Sequence, residues 1–279
     1  MSAQIKLSFV LALAVSVVAG CTNQKKTSGL SVSTHSAATM DASAAGLTLP
    51  NGIEITRIEM AVRKISVEGD DAEFACSTAK STTPLPMLPG TTGSGSGGSG
   101  DGEDHGDHGP EIGDDGHCEF AFGPFDVDLA GSALTGKVSF AFDAPIPAGT
   151  YEEVKISVNT VPAGLAAGNP VLQDLADAHA SILVDGFVQV DSSTSKPFTF
   201  STPMEVKQKR EGKIVIGNGS NVTLDFDPTH WFDGPNGRLD PTDPTAQGDI
   251  LANIRASIRI LKDDDQDGED DDHEGHDGH

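Results

Sequence analysis

The sequence predicts an all-β domain, an antiparallel β-sandwich of the immunoglobulin-like kind or a relative of it. Three observations lead there. Apolar and polar residues alternate in short runs that recur along the chain, as half-buried strands require. Gly and Pro stand between the runs, where hairpins turn. Aromatic residues make up only 5% of the chain, so the core must be assembled from Val, Ile, Leu and Phe.

The first run, "GIEITRIEMAVRKISVEG" (52–69), places Ile53, Ile55, Ile58, Met60, Val62, Ile65 and Val67 on one side. The spacing is mostly two with a slip of three, which predicts a long strand with a bulge, although a helix also fits. "FAFGPFDVDLA" (120–130), "GKVSFAFDA" (136–144) and "TYEEVKISVNTV" (150–161) follow as strands. In "HASILVDGFVQVD" (179–191), Asp185-Gly186 between two apolar runs is a hairpin signal. "KPFTFSTP", "GKIVIGNG" and "NVTLDFDP" continue the pattern to residue 228. Ile250, Ile254 and Ile258, four apart, predict a short helix before a last strand, "SIRILK". "IPAGTYEEVKISV" (146–158) and "VTLDFDPTHWF" (222–232) resemble bacterial envelope sandwich domains found in many lipoproteins. That resemblance implies a fold more than an activity.

The ends lie outside the domain. Lys6 precedes "LSFVLALAVSVV", too short for a permanent membrane helix and matched to the core of a secretory signal. It runs into Val18-Ala19-Gly20-Cys21, which resembles the lipobox of bacterial lipoproteins. The resemblance implies that residues 1–20 are removed and that Cys21 becomes the lipidated first residue, palmitate among its chains. The other reading is an ordinary signal with an incidental cysteine. Thr22 stands where an inner-membrane lipoprotein would carry Asp, so the expected location is the outer membrane, on either face. Each buried methylene of an acyl chain adds about 0.8 kcal/mol to anchoring. Residues 21–46, rich in Ser, Thr and Ala, have no hydrophobic period and are expected to form a flexible tether in which His35 is solvated. The domain is expected over 47–262.

Within it the β pattern stops between residues 77 and 117, where "TTGSGSGGSGDGEDHGDHG" is of low complexity. Cys76 and Cys118 flank this insertion, and in an exported chain with Cys21 acylated they are expected to form a disulfide. Closing such a loop contributes about 4 kcal/mol in the chain-entropy model. A metal thiolate at Cys118 beside His117 is the alternative.

The formal charge is −24, yet "DGEDHGDHGPEIGDDGH" (101–117) and the tail 263–279, "DDDQDGEDDDHEGHDGH", hold 17 of the 42 acidic residues and none of the 18 basic ones. Without them the balance is −7, and nothing offers the basic patch that a nucleic acid needs. The tail resembles the calcium loop of an EF-hand, D-x-[DN]-x-[DN]-G-x5-E. Asp263, Asp265 and Asp267 fall on positions 1, 3 and 5, Gly268 on 6 and Glu274 on 12. Glu269 would offer its carbonyl at 7 and Asp271 would act at 9. The resemblance implies Ca²⁺, which takes six to eight hard oxygens. Position 8, usually apolar, is Asp270, and no helix follows. A solvated polyacidic tail is the other reading.

His105, His108, His117, His273, His276 and His279 lie in the same two segments. Imidazoles suit Zn²⁺, Cu²⁺ and Ni²⁺, and such tracts resemble the metal-collecting loops of periplasmic zinc-binding proteins. A transition-metal buffer or delivery protein is therefore a second functional reading, against a merely solubilising segment. Inside the domain, "DFDPTHWFDG" gathers Asp227, His230 and Trp231. They form either a surface site, including a Trp platform for a glycan in an adhesin, or a strand-ending turn with Trp231 in the core. No G-x-S-x-G, no H-E-x-x-H and no phosphate-cradling loop occurs. Paired carboxylates for glycoside hydrolysis stay open, because their approach is spatial. The expectation is a non-catalytic envelope protein with no organic cofactor, held to the membrane by lipid and binding divalent cations, Ca²⁺ first. A protein or glycan partner is left open.

The lipobox reading has a direct check. Cys21→Ser should leave unprocessed precursor that incorporates no fatty acid. Labelling of that variant to wild-type levels would show that the anchor is elsewhere.

Overall fold

The longest apolar alternation in the sequence becomes the spine of the structure, a computed structural model. It describes residues 30–271 apart from 39–41, 44–45, 70–109, 113–117 and residues 137, 145, 147 and 218. Strand β4 (Ile53–Gly69) runs unbroken for 17 residues, so the helical alternative falls. Ile53, Ile55, Ile58, Met60, Ile65 and Val67 are at most 1% exposed. The spacing slips by three twice, at 55–58 and at 62–65, and each slip meets a shift of register. One lies opposite Asp185/Gly186 of β10 (Ile182–Gln189), the other between Val62 and Lys64 against β9 (Gly149–Val158). A bulge inserts one residue and returns the next side chain to the core. The one bulge expected is therefore two.

Because β4 is so long, different strands flank its two halves. Its first half pairs with β10 on one side and with β3 (Gly46–Thr48) and β7 (Phe125–Ala130) on the other. Its second half pairs with β9 and β6 (Cys118–Phe122). β2 (Ala42–Ser43), β5 (Pro110–Ile112), β11 (Ser195–Thr202) and β12 (Val206–Ile216) complete a sheet of ten strands. A second sheet has the order β16 (Arg259–Lys262), β13 (Asn221–Phe226), β1 (Leu30–Ser36), β8 (Val138–Ala144). The two sheets share one core, in which Val32, Leu224 and Phe226 join Ile55, Ile58 and Val184. The β-sandwich stands, with one addition. Among the described residues β1 and β13 form a parallel pair, while the other pairings are antiparallel.

Four expectations need correction. The tether was expected to reach residue 46, but β1, β2 and β3 begin the fold at Leu30. β1 has no signature in the sequence because three of its buried positions, Ser33, Thr34 and Ser36, are polar. Ser33 Oγ donates to Asn221 Oδ1 at 3.0 Å and Ser36 Oγ to the Leu134 carbonyl at 2.7 Å. Partners that far along the chain leave no local hydrophobic period. The insertion expected over 77–117 includes β5, which pairs with β6. Asp185-Gly186 is not a turn but the middle of β10, where Gly186 lies too close to the Glu54 carbonyl and the Phe198 ring for any side chain. The turn comes later, with Val190 N–H donating to the Thr194 carbonyl at 2.9 Å. The fourth concerns the tail, whose residues 263–271 are packed on the domain and do not trail from it.

The helix before the last strand is present as Gln247–Ser257, with Ile250 and Ile254 buried. A helix at Pro170–Asp177 had not been expected. Its signal is nevertheless local: Asn169 accepts from Leu172 N–H as the N-cap, Pro170 follows it, and Leu172, Leu175 and Ala176 face inward. No helix among the described residues is long and apolar enough to cross a membrane.

Gly186→Ala tests the strand assignment. Overpacking of this kind costs about 1–3 kcal/mol, and that loss should appear in chemical denaturation. Unchanged stability would mean that position 186 does not lie against the Glu54 carbonyl and the Phe198 ring.

Candidate metal centre

β16 ends at Lys262 on the edge of the small sheet, and the chain then folds back over β13. Asp263 N–H donates to the Asn221 carbonyl at 3.2 Å, which extends the ladder by one residue and carries the Asp263 side chain inward. Asp263 is fully buried. A buried carboxylate needs donors, and this one has three. Thr223 Oγ1 and Gly268 N–H reach Oδ2 at 2.7 and 3.1 Å, and Asp267 N–H reaches Oδ1 at 2.9 Å.

Around this fixed carboxylate the chain coils through two residues with positive φ, Gln266 at 64° and Gly268 at 89°. Asp265 Oδ1 accepts from Asp267 N–H at 3.3 Å, and Asp267 Oδ1 from Glu269 N–H at 2.8 Å. Each carboxylate thus steers the backbone two residues on, the usual behaviour of Asp in tight turns. Asp263, Asp265 and Asp267 are brought together so that one carboxylate oxygen from each lies within 4.8 Å of the others. Asp263 is buried and the other two are exposed. The centre is anchored on the inside and open on the outside.

The neighbours hold the coil in place. Asn221 N–H donates to Asp264 Oδ1 at 3.0 Å, Asp264 N–H to Asp271 Oδ2 at 2.6 Å, and Asp271 N–H to the Lys262 carbonyl at 2.9 Å. Asp271, expected as a ligand at position 9, therefore has one oxygen committed to the neck of the loop. Asp270 forms an ion pair with Arg210 of β12 at 2.8 Å. That contact accounts for an acid at position 8, because the site faces a basic strand and not a second apolar loop. Glu269 and Asp270 line an open groove of about 470 Å³ together with Gln208, Lys209, Arg259 and Gly268.

His35 is the functional neighbour that the sequence reading missed. It is not solvated. Its Nδ1 shares a hydrogen bond of 2.9 Å with Asp225 Oδ1, and Arg259 Nη2 donates to Oδ2 of the same buried carboxylate at 2.7 Å. Its ring lies under the loop, and a β-carbon on Gly268 would come within 2.7–2.9 Å of it. No local signal ties residue 35 to residue 268.

The second cluster of the domain comes apart. Trp231 is fully buried, packs against Phe226 with ring centroids 6.0 Å apart and planes tilted by 32°, and donates Nε1–H to Ser257 Oγ at 2.7 Å. It offers no face to a glycan. Asp227 caps the turn Pro228–His230 by accepting from Thr229 N–H. His230 is exposed and bonded to Asp233, which raises its pKa. A surface site built on Asp227, His230 and Trp231 is therefore withdrawn. Cys21, Cys76, His105, His108, His117, His273, Glu274, His276 and His279 lie outside the described residues. The backbone of Cys118 opens β6 opposite Gly69, but the disulfide expected with Cys76 rests on a residue that is not described. No protein-family model matches the chain, and no curated protein or solved structure gives a significant match.

Crowded carboxylates carry a sign. Desolvation, then the charges of Asp267, Asp271 and Asp263, raise the Asp265 carboxyl above its ordinary value. A raised carboxyl binds its proton more tightly in the folded chain, so its contribution is fully present below the unfolded value and is lost as pH rises through the folded one. Metal-free Asp265→Asn should accordingly be more stable than wild type at pH 7, with the gain vanishing in acid. Denaturant titrations at the two pH values check this. A less stable variant at pH 7 would mean that Asp265 is held by attraction.

Proposed function

We propose that the chain is a lipid-anchored, non-catalytic protein of the bacterial envelope, attached through acylated Cys21 to the outer membrane, whose loop 263–274 binds a divalent cation. The observation that carries the cation reading is the convergence of Asp263, Asp265 and Asp267 around a turn made by Gly268. Carboxylates repel when they converge, and a divalent cation turns that repulsion into coordination. The described donors are all oxygens, which favours Ca²⁺ over Zn²⁺, Cu²⁺ or Ni²⁺. Glu274 would close the shell with two more oxygens, and the carbonyl of Glu269 would add one. With no helix pair behind it, the loop should bind Ca²⁺ with a Kd of about 10⁻⁴ to 10⁻³ M, the range of extracellular modules.

Position separates a coordination loop from an acidic tail. The double variant Asp265→Gln, Gln266→Asp preserves composition and net charge but empties position 3. Calorimetry on the full chain should show Ca²⁺ binding weakened at least tenfold, about 1.4 kcal/mol. Unchanged affinity would reduce these residues to a polyelectrolyte.

A further inference from the structure

Four buried polar residues connect the loop to the strand by which the chain enters the domain. Asn221 of β13 is at their centre and is 1% exposed. Its Oδ1 accepts from Ser33 Oγ of β1 at 3.0 Å, and its Nδ2 donates to the Asp263 carbonyl at 2.8 Å and to Thr223 Oγ1 at 3.0 Å. Thr223 then donates to Asp263 Oδ2 at 2.7 Å. Ser33, Thr223 and Asp263 are fully buried. Nearer the surface a second contact joins the same two segments, where Gly268 lies on the ring of His35, also in β1.

These contacts make the position of β1 conditional on the loop. If the loop opens, Asp263 leaves, Asn221 and Thr223 lose their acceptors, and water reaches the amide that orients Ser33. Buried polar groups are costly to leave without their partners. The His35 ring loses its cover at the same time. β1 has little apolar surface of its own to resist this, since Leu30 and Val32 are its buried apolar residues.

We propose that the loop 263–271 is a clasp: its closure keeps β1 docked between β13 and β8, so that whatever orders the loop orders the N-terminal strand. The agent, on the reading above, is Ca²⁺, and the clasp then makes the entry of the chain into the domain sensitive to cation concentration. Leu30 follows Cys21 by only nine positions, so the strand that the clasp controls is the one nearest the proposed anchor. Coupling of this kind is reciprocal: if Ca²⁺ holds β1, then β1 in place favours Ca²⁺.

Hydrogen exchange on the full chain tests the clasp without relying on any metal. Gly268→Val places a β-branched side chain against His35 at a positive φ. Asp270→Asn cuts the ion pair to Arg210 and leaves the proposed ligand positions alone. In EDTA, the variants should exchange the amides of 263–271 and of 31–36 together, at least threefold faster than wild type, while 195–202 of β11 keep their rates. Wild-type rates at 31–36 beside an opened loop would overturn the clasp. So would a loop that neither substitution opens, since Gly268 and Asp270 are assigned to its closure. A separate arm adds 5 mM Ca²⁺ to wild type and should slow 263–271 and 31–36 at least threefold each. Slowing confined to the loop would again overturn the clasp. Absence of Ca²⁺ binding by calorimetry, with the variants behaving as stated, would remove the cation reading and leave the clasp intact.

Discussion

One buried amide organises this end of the molecule. Asn221 makes five hydrogen bonds: its side chain reaches Ser33, Thr223 and the Asp263 carbonyl, its N–H reaches Asp264 and its carbonyl receives Asp263 N–H. A side-chain amide has two donors and an acceptor with two lone pairs, and here both donors and the acceptor are engaged. An aliphatic residue of similar size could fill the space but would take the acceptor from Ser33 Oγ and one donor each from Thr223 Oγ1 and the Asp263 carbonyl in a dry interior. The identity of position 221 is thus set by its own strand and by two segments far from it in the chain, β1 and the acidic coil. The acidic coil can sit against a hydrophobic sheet because its innermost carboxylate is received by polar groups already tied to one another.

The likeness to an EF-hand is informative where it breaks. In a helix pair, the flanking helices and an apolar residue at position 8 hold the loop against its twin. In this chain a β-sheet takes that role: β16 delivers the first aspartate, β13 receives it, and β12 holds Asp270 through Arg210. Preorganisation comes from a ladder and an ion pair. The side chains of Arg210 and Asp270 are 17% and 16% exposed, which shields the pair from solvent more than an ordinary surface bridge.

What could be read from the sequence follows the range of the interactions. The alternation of β4, the Ile250/Ile254 stripe and the order Asp263, Asp265, Asp267, Gly268 are local patterns, and the structure keeps all of them. β1 was unreadable because three of its five buried residues are two serines and a threonine, and the two serines find their partners more than 90 positions away. Asp185-Gly186 carried the signature of a turn. Gly186 has a different origin, the close approach of the Glu54 carbonyl and the Phe198 ring, and no residue nearby discloses it. His35 and Gly268 touch across almost the whole domain. The helix at Pro170–Asp177 and the second bulge of β4 are misses for which local signs existed, in Asn169 and Pro170 and in the second slip of the apolar spacing.

The parallel pairing of β1 with β13 has a mechanical side. The chain enters the small sheet at an interior strand, with β13 on one flank and β8 on the other. Inter-strand hydrogen bonds run across the strand direction. A pull on the chain ahead of Leu30, directed along β1, would load both ladders in shear, so their bonds would share the force rather than fail in succession. An edge strand in the same place would peel. On the proposed attachment through Cys21, this is the arrangement that would resist tension.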